Sequence, residues 1–207
     1  MRLDPKDLSD LEVYKLLIGL VTPRPIAFVT TLSETGTVNA APFSFFNVVC
    51  DDPPMLSIAV GRKDGGECKD TSRNIRNSGE FVIHVTEEKL IEQINHCSCP
   101  YPPNISEVER AGLHTIPSEK IKVPRVGECS VAMECKLHQI LELGNGPAYD
   151  LIIGEVVCFH VDDRMIENGR IKVEELSPVA RLAGTEYTKL GDRFSLDRPK
   201  YTGDRSV

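Results

Sequence analysis

The sequence predicts a mainly β fold, a mostly antiparallel barrel with a few accessory helices. Segments rich in β-branched and aromatic residues follow one another along the chain, whereas a doubly wound parallel sheet would alternate strands with helices. Turn residues separate these segments, and no internal repeat is present. The chain has 207 residues, 41% of them hydrophobic, which is enough for one buried core. We therefore expect a single domain over residues 1–207.

Each predicted element has its own signal. A first helix is expected over residues 9–18, because Ser9 and Glu12 have the spacing of a capping box, and the prolines of VTPRP end it. Strands are expected at IAFVTTL, TVNAAPFSFF, PMLSIAVG and EFVIHV, and two long strands over residues 129–141 and 149–162. Short helices are expected over residues 71–77 and 86–97. A mostly irregular, proline-rich segment over residues 98–127, with short extended pieces as an alternative over residues 116–123, and a polar tail from Pro178 complete the prediction.

Composition excludes several classes of partner. The net charge of −7 argues against nucleic acid and against an anionic membrane surface. No apolar run approaches the ~18–20 residues of a membrane-spanning helix, and the charged N-terminus lacks the apolar segment of a secretory signal. The 7 cysteines form no paired pattern, which suits a reducing compartment. We predict a cytoplasmic protein.

A basic stretch, GRKDGGECKDTSRNI at residues 61–75, is a candidate phosphate site. It enters a short helix near Asp70 or Thr71, and a helix N-terminus offers unpaired N–H groups to an anion. Lys69 would add a full charge and Thr71 a hydroxyl. The alternative is that Asp70 or Thr71 only caps a surface helix. The chain has neither a G-x-x-x-x-G-K-[ST] nor a G-x-G-x-x-G motif, which leaves a mononucleotide phosphate as the candidate ligand.

The segment NAAPFSFFN at residues 39–47 concentrates aromatic rings in a chain that is only 6% aromatic. If residues 37–46 form one strand, Phe43 and Phe45 lie on one face, and Ser44 and Phe46 on the other. Two small alanines precede them and would let a flat ring approach the backbone. The alternative is a core strand with one partly exposed aromatic side chain.

These segments resemble the flavin reductase-like family of FMN-binding split-barrel proteins, and its flavoredoxin-like branch in particular. The similarity runs through TPRPIAFVTTLSETGTVNAAPFSFFNVVCDDPPMLSIAVG and KDTSRNIRNSGEFVIHV. It continues through PRVGECSVAMECKLHQILELG, LIIGEVVCFHVDD and LSPVARLAGTEYTKL, with order and spacing kept. The resemblance implies an FMN-binding split β-barrel with its core at about residues 14–190, followed by the polar tail.

The resemblance also implies which residues bind FMN. The matching positions are Arg24 and Pro25 in the arm beside the flavin, Thr30 and Thr31 near the ribityl or phosphate portion, Ser44, Phe45, Phe46 and Asn47 along the isoalloxazine ring, and Lys69, Asp70, Thr71 and Asn74 at the phosphate. Tyr187 is expected either to reach toward the flavin or to be a hydrogen-bonded core residue.

The resemblance further implies an NAD(P)H-dependent flavin reductase that forms homodimers with FMN at or near the subunit interface. NADH or NADPH would be a transient substrate, and an acceptor, for example a partner protein, would take the electrons; no catalytic side chain is assigned. The alternatives are an FMN-binding electron carrier without NAD(P)H activity and a structural or sensory protein with a vestigial pocket.

No metal site is predicted, because the HCSC sequence has no second Cys/His pair at a zinc spacing. We interpret Cys97 and Cys99 as thiols at a helix end, with a redox-active dithiol as the alternative. His84, His138 and His160 are predicted to be structural.

Overall fold

The computed structural model of the protein describes residues 1–201. Its strands are β1 (Arg24–Pro25), β2 (Ala27–Leu32), β3 (Val38–Phe43), β4 (Phe46–Asp51), β5 (Pro54–Gly61), β6 (Glu80–Val85), β7 (Thr115–Ile116), β8 (Arg125–Val126), β9 (Val131–Leu143), β10 (Tyr149–Val161), β11 (Ile166–Glu167), β12 (Arg170–Ile171), β13 (Val179–Arg181) and β14 (Tyr187–Lys189). Its α-helices are α1 (Asp10–Leu20), α2 (Asp70–Ser78), α3 (Ile91–His96), α4 (Glu107–Arg110) and α5 (Val173–Leu176).

Seven strands form one antiparallel sheet in the order β3-β2-β6-β9-β10-β5-β4. Strands β3 and β4 are consecutive in the chain but lie at opposite edges of this sheet. A bend at Ser44 and Phe45 joins them, and the N–H of Ala59 on β5 donates to the carbonyl of Phe45 at 2.8 Å. The sheet therefore curls until its two edges meet at the bend, which confirms the mainly β, antiparallel barrel.

The barrel interior is apolar because the inward-facing positions of the strands alternate with outward ones. On β5 the side chains of Leu56, Ile58 and Val60 are buried at every second position. A Cβ atom at Gly154 on β10 would lie 2.3 Å from Cζ of Phe81. Only glycine at that position lets the phenylalanine ring fill the interior.

A second apolar cluster lies on the outside of β2 and β3. Phe28 and Ala40 pack there against Ile94 of α3 and Val108 of α4. This cluster holds the two short helices beside the end of β3, where the candidate site lies.

The prediction of one continuous strand over residues 37–46 is wrong. Strand β3 ends at Phe43 and β4 begins at Phe46, because the chain crosses from one edge of the sheet to the other between them. Alternation of faces does not continue through a bend. Phe43 and Phe46 both pack against the barrel interior.

Other boundaries differ less. The capping box of Ser9 and Glu12 is confirmed, and α1 continues to Leu20. The helix predicted over residues 86–97 begins instead as a 3-10 turn at Glu88, because Glu87 is buried and accepts hydrogen bonds from the N–H and hydroxyl of Ser130 at 2.6 and 2.8 Å.

Two predicted irregular segments contain regular structure. The loop predicted over residues 98–127 includes α4, β7 and β8, and the polar tail predicted from Pro178 includes β13 and β14. Strand β13 pairs with β1, and β14 pairs with β13. Elements of two to four residues leave no periodic pattern in a sequence, so their partners alone define them.

Within the described part of the chain, no helix has the length and apolar character needed to cross a membrane.

Candidate functional site

A cavity of about 460 Å3, hereafter the central cavity, lies between the end of β3, the start of α2 and the segment that follows α3. Its walls combine backbone from β3, cationic side chains before α2, and thiol, hydroxyl and aromatic groups after α3. The lining residues are Asn39, Ala41, Pro42, Phe43, Lys63, Lys69, Asp70, Thr71, Cys97, Ser98, Cys99, Pro100, Tyr101 and Glu107.

The N-terminus of α2 faces this cavity without a side-chain cap. Lys69 is the N-cap residue, and no side chain accepts from the first turn. Among residues 1–201, the N–H groups of Asp70, Thr71 and Ser72 have no acceptor, and Lys69 forms no ion pair. A row of free N–H groups next to an unpaired ammonium attracts an anion.

The alternative, that Asp70 or Thr71 only caps α2, is therefore wrong. The Asp70 carboxylate accepts instead from the guanidinium of Arg73, three residues along the same helix. The hydroxyl of Thr71 donates to Oδ1 of Asn39 at 2.9 Å. Both side chains are thus turned away from the N–H groups that they would need to cap.

Asn39 is the hub of a buried polar network below the cavity. Its Oδ1 accepts from the hydroxyls of Thr31 at 3.2 Å and Thr71 at 2.9 Å. Asn74 donates from Nδ2 to the Thr31 hydroxyl at 3.0 Å. The network therefore brings three predicted residues together and fixes α2 against β2 and β3.

Glu107 completes this network and escaped sequence analysis. Its carboxylate accepts from Nδ2 of Asn39 and from the N–H of Ala40, both at 3.0 Å. Burial raises the pKa of Glu107. No sequence signal pointed to it, since it lies 67 residues from Ala40 in a proline-rich segment that predicted only a loop.

Arg24, Pro25 and Thr30 do not line the central cavity. The hydroxyl of Thr30 donates to the carbonyl of Pro124 at 2.8 Å. The buried guanidinium of Arg24 donates to the carbonyls of Ile18 at 2.6 Å, Val21 at 2.5 Å and Leu182 at 2.9 Å. These contacts tie the end of α1 to the chain after β13, and Pro25 is exposed in β1 beside them.

The four residues predicted along the flavin ring have separate surroundings. Phe45 stacks on Tyr149, with ring centroids 5.8 Å apart and planes 17° apart. Phe46 packs on the barrel interior. Asn47 is exposed, and its Oδ1 accepts from the N–H of Val48 at 2.9 Å. Only Ser44 borders a cavity near the site.

That second cavity, hereafter the Arg181 cavity, has a volume of about 200 Å3 and shares Pro42 and Ser98 with the central cavity. The Tyr187 hydroxyl accepts from Arg181 at 2.5 Å and donates to Oδ1 of Asn95 at 3.1 Å. Tyr187 is thus hydrogen-bonded and also lines a cavity. The complete lining is Ile26, Pro42, Ser44, Ile91, Ile94, Asn95, Ser98, Arg181 and Tyr187.

Cys97 and Cys99 both line the central cavity but differ in exposure. Cys97 is buried and packs in the outer apolar cluster, whereas Cys99 is exposed. Burial raises the pKa of Cys97 to about 12, so this thiol stays protonated near neutral pH. This protonation argues against the dithiol alternative.

His84 is structural, as predicted. It is fully buried, and Nδ1 donates to the carbonyl of Phe28 at 3.0 Å while Nε2 accepts from the N–H of Val126 at 2.9 Å. These two partners define the neutral tautomer. Burial lowers the pKa of His84 to about 4.

Glu134, Cys158 and His160 place an oxygen, a sulfur and a nitrogen within 4.8 Å of one another on β9 and β10. The Glu134 carboxylate already accepts from His160 Nε2 at 2.5 Å and from the N–H groups of Glu119 and Lys120, each at 2.7 Å. We interpret the cluster as a hydrogen-bonded group. That the protein binds no metal stays a prediction.

Together, a curled antiparallel barrel and a cavity that ends at an uncapped helix N-terminus define a protein of the split-barrel class. The flavin reductase like domain family matches residues 19–176. The chain belongs to this family, whose members are flavin-binding oxidoreductases, and the resemblance noted in the sequence is confirmed.

Related proteins agree with this assignment. The crystal structure of nitrilotriacetate monooxygenase component B from Bacillus cereus is 47% identical, with 95% of this chain and 98% of that chain covered and a TM-score of 0.93. The 2-nitrobenzoate 2-nitroreductase of Pseudomonas fluorescens is 34% identical, with 100% and 99% covered and a TM-score of 0.88. An uncharacterized protein of Halalkalibacterium halodurans is 51% identical, with 99% of this chain and 100% of that protein covered.

Proposed function

We propose that the protein binds FMN in the central cavity and catalyses electron transfer from NADH or NADPH through it. The observation that carries this proposal is the coincidence of Lys69, the free N–H groups of α2 and a cavity of about 460 Å3 in a flavin reductase like domain. One anion site of this kind suits the single terminal phosphate of FMN.

Two sets of residues of this chain would hold FMN, one at its phosphate and one at its ring system. Lys69 and the N–H groups of Asp70, Thr71 and Ser72 would bind the phosphate. Backbone groups of β3 from Asn39 to Phe43, and Tyr101 opposite them, would flank the ring system. The buried network around Asn39 fixes α2 against β3, so these two walls of the cavity are in place before the ligand arrives.

When bound, FMN would supply the chemistry, by accepting a hydride from NAD(P)H at N5 and passing electrons to an acceptor. The chain would bind and orient both molecules and exclude water. Our proposal assigns no proton transfer to any side chain.

Two relatives suggest two different classes of electron acceptor. The 47% identical structure is named a monooxygenase component, which favours a partner protein as the acceptor. The 34% identical structure is named a nitroreductase, which favours a small organic molecule. An electron carrier without NAD(P)H activity is the second candidate function, since a carrier and a reductase would need the same flavin site.

We also propose that the chain forms one domain and assembles as a homodimer. Helix α1 exposes Leu11, Tyr14, Leu17 and Leu20, and the edge strand β4 exposes Val48 and Val49. Apolar side chains grouped on a surface favour burial against a second copy. A Leu17→Lys variant that keeps the dimer mass in light scattering would contradict this interface.

The visible spectrum of the purified protein with added FMN tests the central proposal. A flavin spectrum that remains after gel filtration supports FMN binding, and a colourless protein refutes it. Anaerobic addition of NADH or NADPH then separates the two candidates. Loss of the visible absorbance of the oxidised flavin indicates a reductase, whereas an unchanged spectrum favours the carrier.

A further inference from the structure

The Arg181 cavity contains a positive charge that no carboxylate of the described residues 1–201 balances. Arg181 is half-buried, and its guanidinium lies 4.5 Å from the centroid of the Tyr187 ring. It donates to the Tyr187 hydroxyl and to the carbonyl of Gly184, each at 2.5 Å. Within residues 1–201 it forms no ion pair. A guanidinium has five N–H donors, so two neutral acceptors leave some of them available.

Other arginines that are not fully exposed differ in the partners that they have. Arg62 and Arg76 contact the carboxylates of Asp150 and Glu142. Within residues 1–201, Arg24 contacts no carboxylate; three main-chain carbonyls, two of them at the end of α1, accept from its two terminal nitrogens, and its buried Nε has no partner. Arg181 and Arg125 have neither arrangement, and of these two only Arg181 lines the cavity.

The remaining walls of this cavity restrict the shape of a ligand. Ile26, Ile91, Ile94 and Pro42 provide apolar surface, and the Ser44 hydroxyl has no partner within the described chain. The volume of about 200 Å3 is smaller than the ~300–1,000 Å3 of sites for drug-sized molecules. One planar guanidinium fork above apolar walls suits a carboxylate on a small flat ring.

We propose that the Arg181 cavity binds a small aromatic carboxylate, the second substrate of the flavin site. The carboxylate would lie on Arg181 and the ring on Pro42 and the isoleucines. The proposal rests on the proposed function, because Pro42 and Ser98 border both cavities and a ligand here would lie beside the flavin. A dinucleotide diphosphate fits less well, since among the described residues no second cation lines the cavity.

The test compares benzoate with neutral benzamide, which has nearly the same shape. Each is titrated into FMN-loaded protein while the flavin absorbance is followed. We expect benzoate to bind at least about tenfold more tightly, the effect of one charge-assisted pair. Arg181→Gln should remove this difference and leave the Kd of FMN unchanged within about twofold, and Arg181→Lys should keep part of it.

Arg125→Gln is the matched control, because Arg125 is also half-buried and donates to a carbonyl, that of Pro117 at 3.1 Å, but lines neither cavity. It should leave benzoate binding unchanged. Equal affinities for benzoate and benzamide, or an Arg181→Gln variant that binds benzoate normally, would overturn the proposal. So would an increased KM for NADH or NADPH in that variant with benzoate binding unchanged.

If the wild-type protein does not bind FMN, the proposed function fails by itself. Calorimetric titration of the flavin-free protein with benzoate, in the wild type and in Arg181→Lys, then decides the inference about this cavity separately.

Discussion

Two sets of cations in the segment between β5 and the end of α2 behave differently. The sequence shows five positive side chains there, namely Arg62, Lys63, Lys69, Arg73 and Arg76. Four are paired with carboxylates, and two of these, Arg62 and Arg76, share the fully buried carboxylate of Asp150. Within residues 1–201, Lys69 alone of the five has no ionic partner.

The difference separates a structural charge cluster from a cation that has no ionic partner in the described part of the chain. Burial by itself would raise the pKa of Asp150, but hydrogen bonds from Arg62, Ser72 and Arg76 hold it below its usual value. Arginines held in this way are not available to a ligand. Charge density in the sequence selected the segment for the phosphate hypothesis, and the pairing pattern shows which of its cations has no carboxylate partner among residues 1–201.

The largest effect on stability is expected for Asp150, the carboxylate that pairs with two of the arginines. Asp150→Ala removes the common acceptor of Arg62, Arg76 and Ser72, and should lower the free energy of unfolding by about 3–5 kcal/mol, as expected when one partner of a buried ion pair is lost. Urea unfolding measures it. Glu142→Ala removes a half-exposed partner of the same arginines and should cost less than about 1 kcal/mol. Equal losses in the two variants would refute the distinction.

His84 is a second buried titratable group, but its hydrogen-bond partners are neutral, whereas those of Asp150 include two arginines. The unfolded histidine titrates near 6.5 and the folded one at about 4, so the unfolded state binds more protons between these values. The free energy of unfolding should therefore decrease as the pH is lowered through this window. This residue accounts for a decrease of about 2 kcal/mol from pH 7 to pH 5. Urea unfolding of His84→Gln should lack that component, whereas exposed His138→Gln should retain it. Identical pH slopes in all three proteins would contradict the assignment.

A third prediction concerns Lys69, the cation without an ionic partner among residues 1–201. Lys69→Ala should weaken FMN binding by about 10- to 100-fold, because a charge-assisted contact to the phosphate is lost, without changing the urea midpoint. Lys63→Ala is the control, since Lys63 is paired with Glu67 at 3.4 Å and should change FMN affinity by less than about threefold. Fluorescence titration of FMN measures both. Unchanged affinity in Lys69→Ala would remove the phosphate assignment.

Local signals were sufficient for part of the structure. The capping box at Ser9, the glycine that ends α2 at Gly79, and the long strands β9 and β10 depend on neighbouring residues or on a period of two. The phosphate hypothesis at Lys69 is of the same kind, because a helix start next to a lysine is visible in one short stretch.

The sequence by itself thus determined the mainly β class and the family, and it placed the phosphate hypothesis in the segment that enters α2. Only the tertiary structure decided that Asn39 and Glu107 support the cavity, that Thr30 and Arg24 contact carbonyls away from it, and that Arg181 borders a second cavity beside it. The physical reason is that these contacts join residues far apart in the chain. Their energies depend on burial and on the partner that each polar group meets, and neither is encoded in a local pattern.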